Sequence, residues 1–269
     1  MGAAEDLRRR RLAFLRRRRP RRGAMTMFEH LDELRSRLIV SVAAFVVVSI
    51  AAFIFYEPIF DFVLRPLCAL PADLLGRQGC KLVQLSVLEG FQVRLKMTAL
   101  VGLAVASPIW LYQLWAFIVP GLTTKEKKYS LPFIASAVTL FAIGATFAYL
   151  VMPTGIKLLL QIGGDPLEPL LRADSYINFV GLMLIAFGVT FELPLVLLFL
   201  GLVGVVTPEL LRKHRRAAVV GIVALAAVVT PSQDPYTMLI MAVPLYVLYE
   251  VTILIIALVL RRRARAESL

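Results

Sequence analysis

The chain has 269 residues, 59% of them hydrophobic, with a formal net charge of +12 and a mean hydropathy of +0.79. That apolar content excludes an ordinary soluble domain, so the basic balance reads as membrane topology rather than nucleic-acid binding. The two cysteines, Cys68 and Cys80, and the two histidines, His30 and His214, are spaced too widely for a CxxC redox or zinc motif.

The first 24 residues carry Arg8–Arg11, Arg16–Arg19, Arg21 and Arg22. Like charges at that density repel and leave little apolar surface to bury, so 1–24 is expected to be a disordered cytoplasmic arm on anionic headgroups. An upstream extension before a start at Met25 or Met27 is the alternative. The arm lacks the apolar stretch and cleavage site of a signal peptide. Phe28, Leu31, Leu34 and Leu38 then recur at steps of three and four, predicting an amphipathic helix that lies in the membrane interface before the first span.

Six apolar runs follow, at 38–56, 91–119, 130–151, 176–203, 217–230 and 237–260. A hydrocarbon core of about 30 Å takes roughly 20 helical residues to cross. The fifth run is short, and it counts as a span because Arg212, Lys213, Arg215 and Arg216 precede it while no basic residue separates it from the sixth. The long second run is expected to kink at Pro108 and to end at Pro120-Gly121. Thr207-Pro208-Glu209 has the pattern of a helix start, and Pro231, Asp234 and Pro235 mark a tight turn. Of 30 lysines and arginines, 23 fall on one side of this arrangement and five on the other, with Arg94 and Lys96 near the start of the second run. Basic short loops stay cytoplasmic. The expectation is an all-α integral membrane protein with six spans, both termini in the cytoplasm, one membrane domain over 25–260 and a basic tail over 261–269.

Cys68 and Cys80 share the first outer loop. An oxidising exterior permits a disulfide there, and two free thiols are the alternative. Trp110, Tyr112, Trp115 and Phe117 cluster near the inner end of the second run and read as an aromatic belt. Glu192 falls near the middle of the fourth run and Glu250 within the sixth. A charged group at mid-bilayer costs about 3 kcal/mol on insertion scales, so each is a candidate site, with a hydrogen-bonded structural carboxyl as the alternative. Glu33 pairs at i,i+4 with Arg37, and Glu126 is placed to favour a helix N-terminus; both patterns also occur as ordinary surface features. No GxSxG, P-loop or GxGxxG is present, and neither an enzymatic activity nor a cofactor or metal is expected. From residues alone, a proton-coupled solute carrier using Glu192 and Glu250 as a relay is the second reading.

His30-Leu31-Asp32-Glu33-Leu34-Arg35-Ser36-Arg37 resembles the N-terminal signature of TatC, the signal-recognising subunit of the twin-arginine protein translocase. The segment 112–120, the segment 187–194 with Glu192, and Thr230-Pro231 with Asp234 are similar to further TatC motifs, in order along the chain. The paired cysteines resemble those of actinobacterial members. The resemblance implies a curved, concave six-helix wall. It implies binding of twin-arginine signal peptides through Glu33 and Glu126, with Arg35 and Phe117 at functionally important positions. Glu192 becomes an intramembrane contact for the peptide or for a partner's membrane helix, with Glu250 and Asp234 as secondary candidates. The implied partners are TatA- and TatB-type single-span subunits in an oligomeric complex, transporting folded proteins on the proton motive force; no nucleic acid is implied.

Overall fold

The computed structural model describes residues 27–76, 79–118, 130–162, 170–230 and 235–267. The arginine-rich arm, Glu126, Pro120-Gly121 and Asp234 lie outside them. The described residues contain ten α-helices: α1 (Met27–Ile54), α2 (Tyr56–Cys68), α3 (Glu89–Val105), α4 (Ser107–Ile118), α5 (Ser130–Ile162), α6 (Ala173–Thr190), α7 (Leu193–Leu202), α8 (Pro208–Lys213), α9 (Arg215–Val229) and α10 (Pro235–Glu267). Among the described residues the β-structure is a single parallel bridge, Val83 to Arg172. The chain divides into two compact units, Met1–Ser36 and Arg37–Leu269. In the first, the described residues are the opening turns of α1. The second holds the rest.

Four helical stretches are long and apolar enough to cross a membrane: Phe28–Ile54, Leu131–Ile162, Ala173–Leu202 and Pro235–Arg262. The pair α3 and α4 makes a fifth, bent by 53°. The bend falls where Pro108 was expected to kink the run. Pro108 has no N–H to return to the preceding turn, and it disfavours helical geometry at Ser107. The Trp110 indole donates to the Leu103 carbonyl at 3.0 Å and satisfies an acceptor at the break. The sixth expected span, α9, has 15 residues; at about 1.5 Å per residue it reaches roughly 22 Å, short of a full hydrocarbon core.

The amphipathic segment at 28–38 forms the opening turns of α1, which continues to Ile54. The fourth run holds a short break, where α6 stops at Thr190 and α7 starts at Leu193. Pro194 cannot donate to the Thr190 carbonyl, and the backbone passes through the gap on tighter bonds, Glu192 N–H to Val189 at 3.0 Å and Leu195 N–H to Glu192 at 3.0 Å. At Thr207 the pattern holds: its hydroxyl caps α8 by accepting from Leu210 N–H at 3.2 Å, with Pro208 at the first helical position.

The core of the second unit runs along α3, α5 and α6, where Met97, Ala148, Met152, Ile177, Val180, Met183 and Phe187 are almost fully buried. Lipid tails are as apolar as leucine, so close packing rather than water exclusion holds such helices together, and small residues at the seams permit it. A Cβ on Gly144 would stand 2.7 Å from the Phe187 carbonyl oxygen, and one on Gly188 would stand 2.6 Å from the Phe141 ring. The α5–α6 seam is therefore in backbone-to-backbone contact.

A disulfide joins Cys68 to Cys80 across 12 positions. Closing a loop of that size stabilises the folded form by about 3 kcal/mol in the chain-entropy model. Adding a reductant is accordingly expected to lower the thermal midpoint of the purified protein, and a Cys68→Ser/Cys80→Ser variant is expected to start at the lower value and not respond to reductant. Equal midpoints for all samples would show that the bridge is energetically idle.

Candidate functional site

Glu192 sits in the break between α6 and α7 and is 8% exposed. Neither of its carboxyl oxygens has a hydrogen-bond partner among the described residues, and the same is true of the indole Nε1 of Trp115. The two side chains are neighbours where α4 meets α5 and the start of α7. Trp115, 3% exposed, is packed by Phe133 at 4.6 Å edge-to-face and by Phe199 at 6.0 Å between ring centroids, beside Ile134, Ala137 and Leu195. The aromatic-belt reading fails for this residue, because its ring fills a helix junction rather than a headgroup zone. It suits Tyr112, which is exposed. The Thr190 hydroxyl bonds back to the Ala186 carbonyl at 2.6 Å, so it is occupied. The junction thus gathers buried polar atoms that the other described residues do not satisfy, within a stretch apolar enough to cross a membrane, where each such atom is costly.

Glu250 is arranged differently. Its carboxylate accepts from Arg215 at 2.7 Å and from the Tyr246 hydroxyl at 3.1 Å. Tyr249 donates to the Leu211 carbonyl at 2.8 Å, tying α10 to the end of α8. With Arg215 about half exposed, the ion pair adds little to stability; its effect is to register α9 against α10.

At the disulfide-bearing end, α3 and α6 are clasped by charge. Glu89, 3% exposed, accepts from Leu85 N–H at 2.7 Å and from Ser86 N–H at 3.3 Å and lies 3.7 Å from Arg172. Val83 N–H bonds to Leu171 at 2.9 Å, and Ala173 N–H returns to Val83 at 3.1 Å. Lys96 pairs with Asp174, which also accepts from Asn178 at 3.2 Å. Among the described residues no group of three metal-ligating side chains comes together.

A family model described as "Sec-independent protein translocase protein (TatC)" matches residues 29–244. The chain belongs to the TatC family. A TatC from Frankia casuarinae is 44% identical over 247 residues, covering 90% of this chain and 68% of that one. TatC from Carboxydothermus hydrogenoformans is 40% identical over 86% of this chain and 92% of its own length. A TatC from Corynebacterium kroppenstedtii is 38% identical, and this chain covers 64% of it. A crystal structure of the twin-arginine translocase receptor TatC in DDM superposes with a TM-score of 0.71 at 38% identity, over 84% of this chain and 99% of that one. The chain is thus a multi-pass membrane component of a protein translocase, and the solute-carrier reading gives way to TatC.

On this TatC fold the residues singled out in the sequence divide between the two compact units. Glu33 is half-buried and Arg35 exposed, both in the opening turns of α1. Phe117 is half-buried near the end of α4. Glu192 and Glu250 lie in the distinct environments described above. Two features escaped the sequence reading. Trp115 gave no signal distinguishing it from its exposed aromatic neighbours. Glu89 opens α3 and turns its carboxylate back onto the N–H groups of Leu85 and Ser86 in the preceding loop, a use that no spacing in the sequence announces.

Proposed function

We propose that this TatC-family chain is the receptor subunit of a twin-arginine translocase in the cytoplasmic membrane, with both termini cytoplasmic. Signal peptides are recognised by carboxylates that fork onto the paired guanidinium groups, Glu33 and Glu126 being the acids, with Arg35 and Phe117 contributing to the same recognition. A guanidinium offers two parallel N–H bonds to a carboxylate; an ammonium does not reproduce that geometry. The inserted part of the peptide, or the membrane helix of a TatA- or TatB-type partner, contacts Glu192. Residues 1–24 act as a basic arm, 25–260 as the membrane domain and 261–269 as a basic tail, and the proton motive force drives transport of folded cargo in an oligomeric assembly.

The observation that supports this reading most strongly is the likeness, over 84% of this chain and 99% of the other, to a protein described as a twin-arginine translocase receptor. The 23-to-5 division of basic residues supports the orientation. Photo-crosslinkers placed along the chain and challenged with a twin-arginine precursor in inverted membrane vesicles test it. Adducts are expected at positions flanking Glu33, Phe117 and Glu126 and to vanish with a twin-lysine precursor. Adducts that persist with twin lysine, or that appear only at the disulfide-bearing end, would refute the assignment.

A further inference from the structure

The Glu192 carboxyl and the Trp115 indole N–H are both buried, with Trp115 packed on Leu195 one turn beyond Glu192 and no hydrogen bond made by either group in this arrangement, yet they differ in mobility. Trp115 is locked by Phe133, Phe199, Ile134, Ala137 and Leu195. A large ring so enclosed does not change rotamer without opening the core. Glu192 keeps a helical backbone (φ −75°, ψ −20°), but its side chain has three rotatable bonds and no ring to turn, so it changes rotamer far more readily than the enclosed indole. The residues flanking it, Val189, Leu193 and Val196, are 49%, 40% and 37% exposed. One change of rotamer therefore separates a carboxyl directed at the indole from a carboxyl at the surface facing lipid or a partner.

We propose that Trp115 is a positioning residue for Glu192: its indole N–H retains the carboxyl inside the junction of α4, α5 and α7, and an inserted helix carrying a polar side chain draws it outward. This rests on the reading that an inserted helix reaches Glu192, and it adds what governs access to that residue. Inward, a small rotation gives the carboxyl one donor, the indole N–H. Outward, it gains the donor of the visiting side chain and loses the indole. An apolar visitor offers nothing in exchange, so the inward position discriminates against helices without a polar group. Removing the indole N–H while keeping the ring should then make outward movement easier and binding tighter, the opposite of the effect expected from damage to a contact or to the core.

The test uses the full-length protein in lipid nanodiscs and two synthetic transmembrane peptides of leucine and alanine, one with a single central asparagine and one with leucine in its place. Affinities are read by energy transfer between labels on peptide and protein. Trp115→Phe is expected to tighten binding of the asparagine peptide by roughly three- to tenfold, the worth of one neutral hydrogen bond, and to leave the leucine peptide unchanged. Glu192→Ala is expected to bring the asparagine peptide down to the leucine peptide. In a Trp110→Phe background Trp115 is the sole tryptophan, and its emission should shift when the asparagine peptide binds but not when the leucine peptide does. Weaker or unchanged asparagine binding in Trp115→Phe overturns the retaining role, even where Glu192→Ala still weakens that peptide. If Glu192→Ala affects neither peptide, the underlying reading of an intramembrane contact at Glu192 fails instead.

Discussion

Reversing Glu33 and Glu126 to lysine together is expected to lower affinity for a twin-arginine signal peptide by about 10²- to 10⁴-fold. The magnitude follows from the chemistry. A hydrogen bond to a charged group contributes about 1.5–3 kcal/mol when partly shielded from water, so losing one such contact at each arginine costs roughly 3–6 kcal/mol. A fully exposed ion pair contributes about 0–1 kcal/mol, and a site built that way would barely notice the change. The experiment therefore measures both identity and shielding. Binding of a fluorescent twin-arginine peptide to the protein in nanodiscs gives the affinity, and the thermal midpoint checks that the variant is folded. Glu33→Gln/Glu126→Gln removes the charges without adding cations and should fall between wild type and reversal. A tenfold loss or less in the reversal variant would place these acids in open solvent, and no loss would remove them from the site.

Much of this was legible in the sequence, for identifiable reasons. Membrane spans declare themselves because the bilayer demands long unbroken apolar runs, and the charged connectors between them need no tertiary information to locate. Proline fixes backbone geometry locally, so Pro108 and Pro208 announced a bend and a helix start. Pro194 frees a carbonyl in any helix that contains it, but whether the helix absorbs that defect or breaks depends on its neighbours. The burial of Trp115 was illegible for the same reason: four aromatic residues within eight positions share one composition, and which of them meets Phe133 and Phe199 is decided by α5 and α7. The extra helix α2 follows the first run directly, and its mixture of charged and apolar residues with Pro66 matches neither a span nor a plain loop. Conversely, the family signature singled out Glu33 and Glu126, which composition alone reads as ordinary surface acids. Only the chemistry of the ligand separates those two readings.

The largest stability effect is expected at the α5–α6 seam. Gly144→Ala places a methyl group 2.7 Å from the Phe187 carbonyl oxygen and 2.9 Å from the Phe191 ring. The first of these atoms belongs to a helix backbone and does not yield, so the helices must part. Gly188→Ala meets the Phe141 ring, itself 2% exposed and without room to turn. Overpacking of this kind costs about 1–3 kcal/mol. Replacing a helical glycine by alanine also returns up to about 1 kcal/mol of helix propensity, so steric cost prevails at both positions. Gly221, on α9, is the control: a Cβ there meets nothing within 4 Å, and Gly221→Ala should keep only the propensity gain. Thermal unfolding in detergent is expected to rank the variants Gly221→Ala at or above wild type, each seam variant clearly below it. The seam double variant should lose less than the sum of the singles, because one separation of the helices relieves both clashes. The seam also carries Phe191, next to Glu192, so the loss extends to function: Gly144→Ala should weaken binding at Glu192 even at temperatures where the protein remains folded. A seam variant as stable as Gly221→Ala would show that the two helices do not approach as closely as the glycines permit.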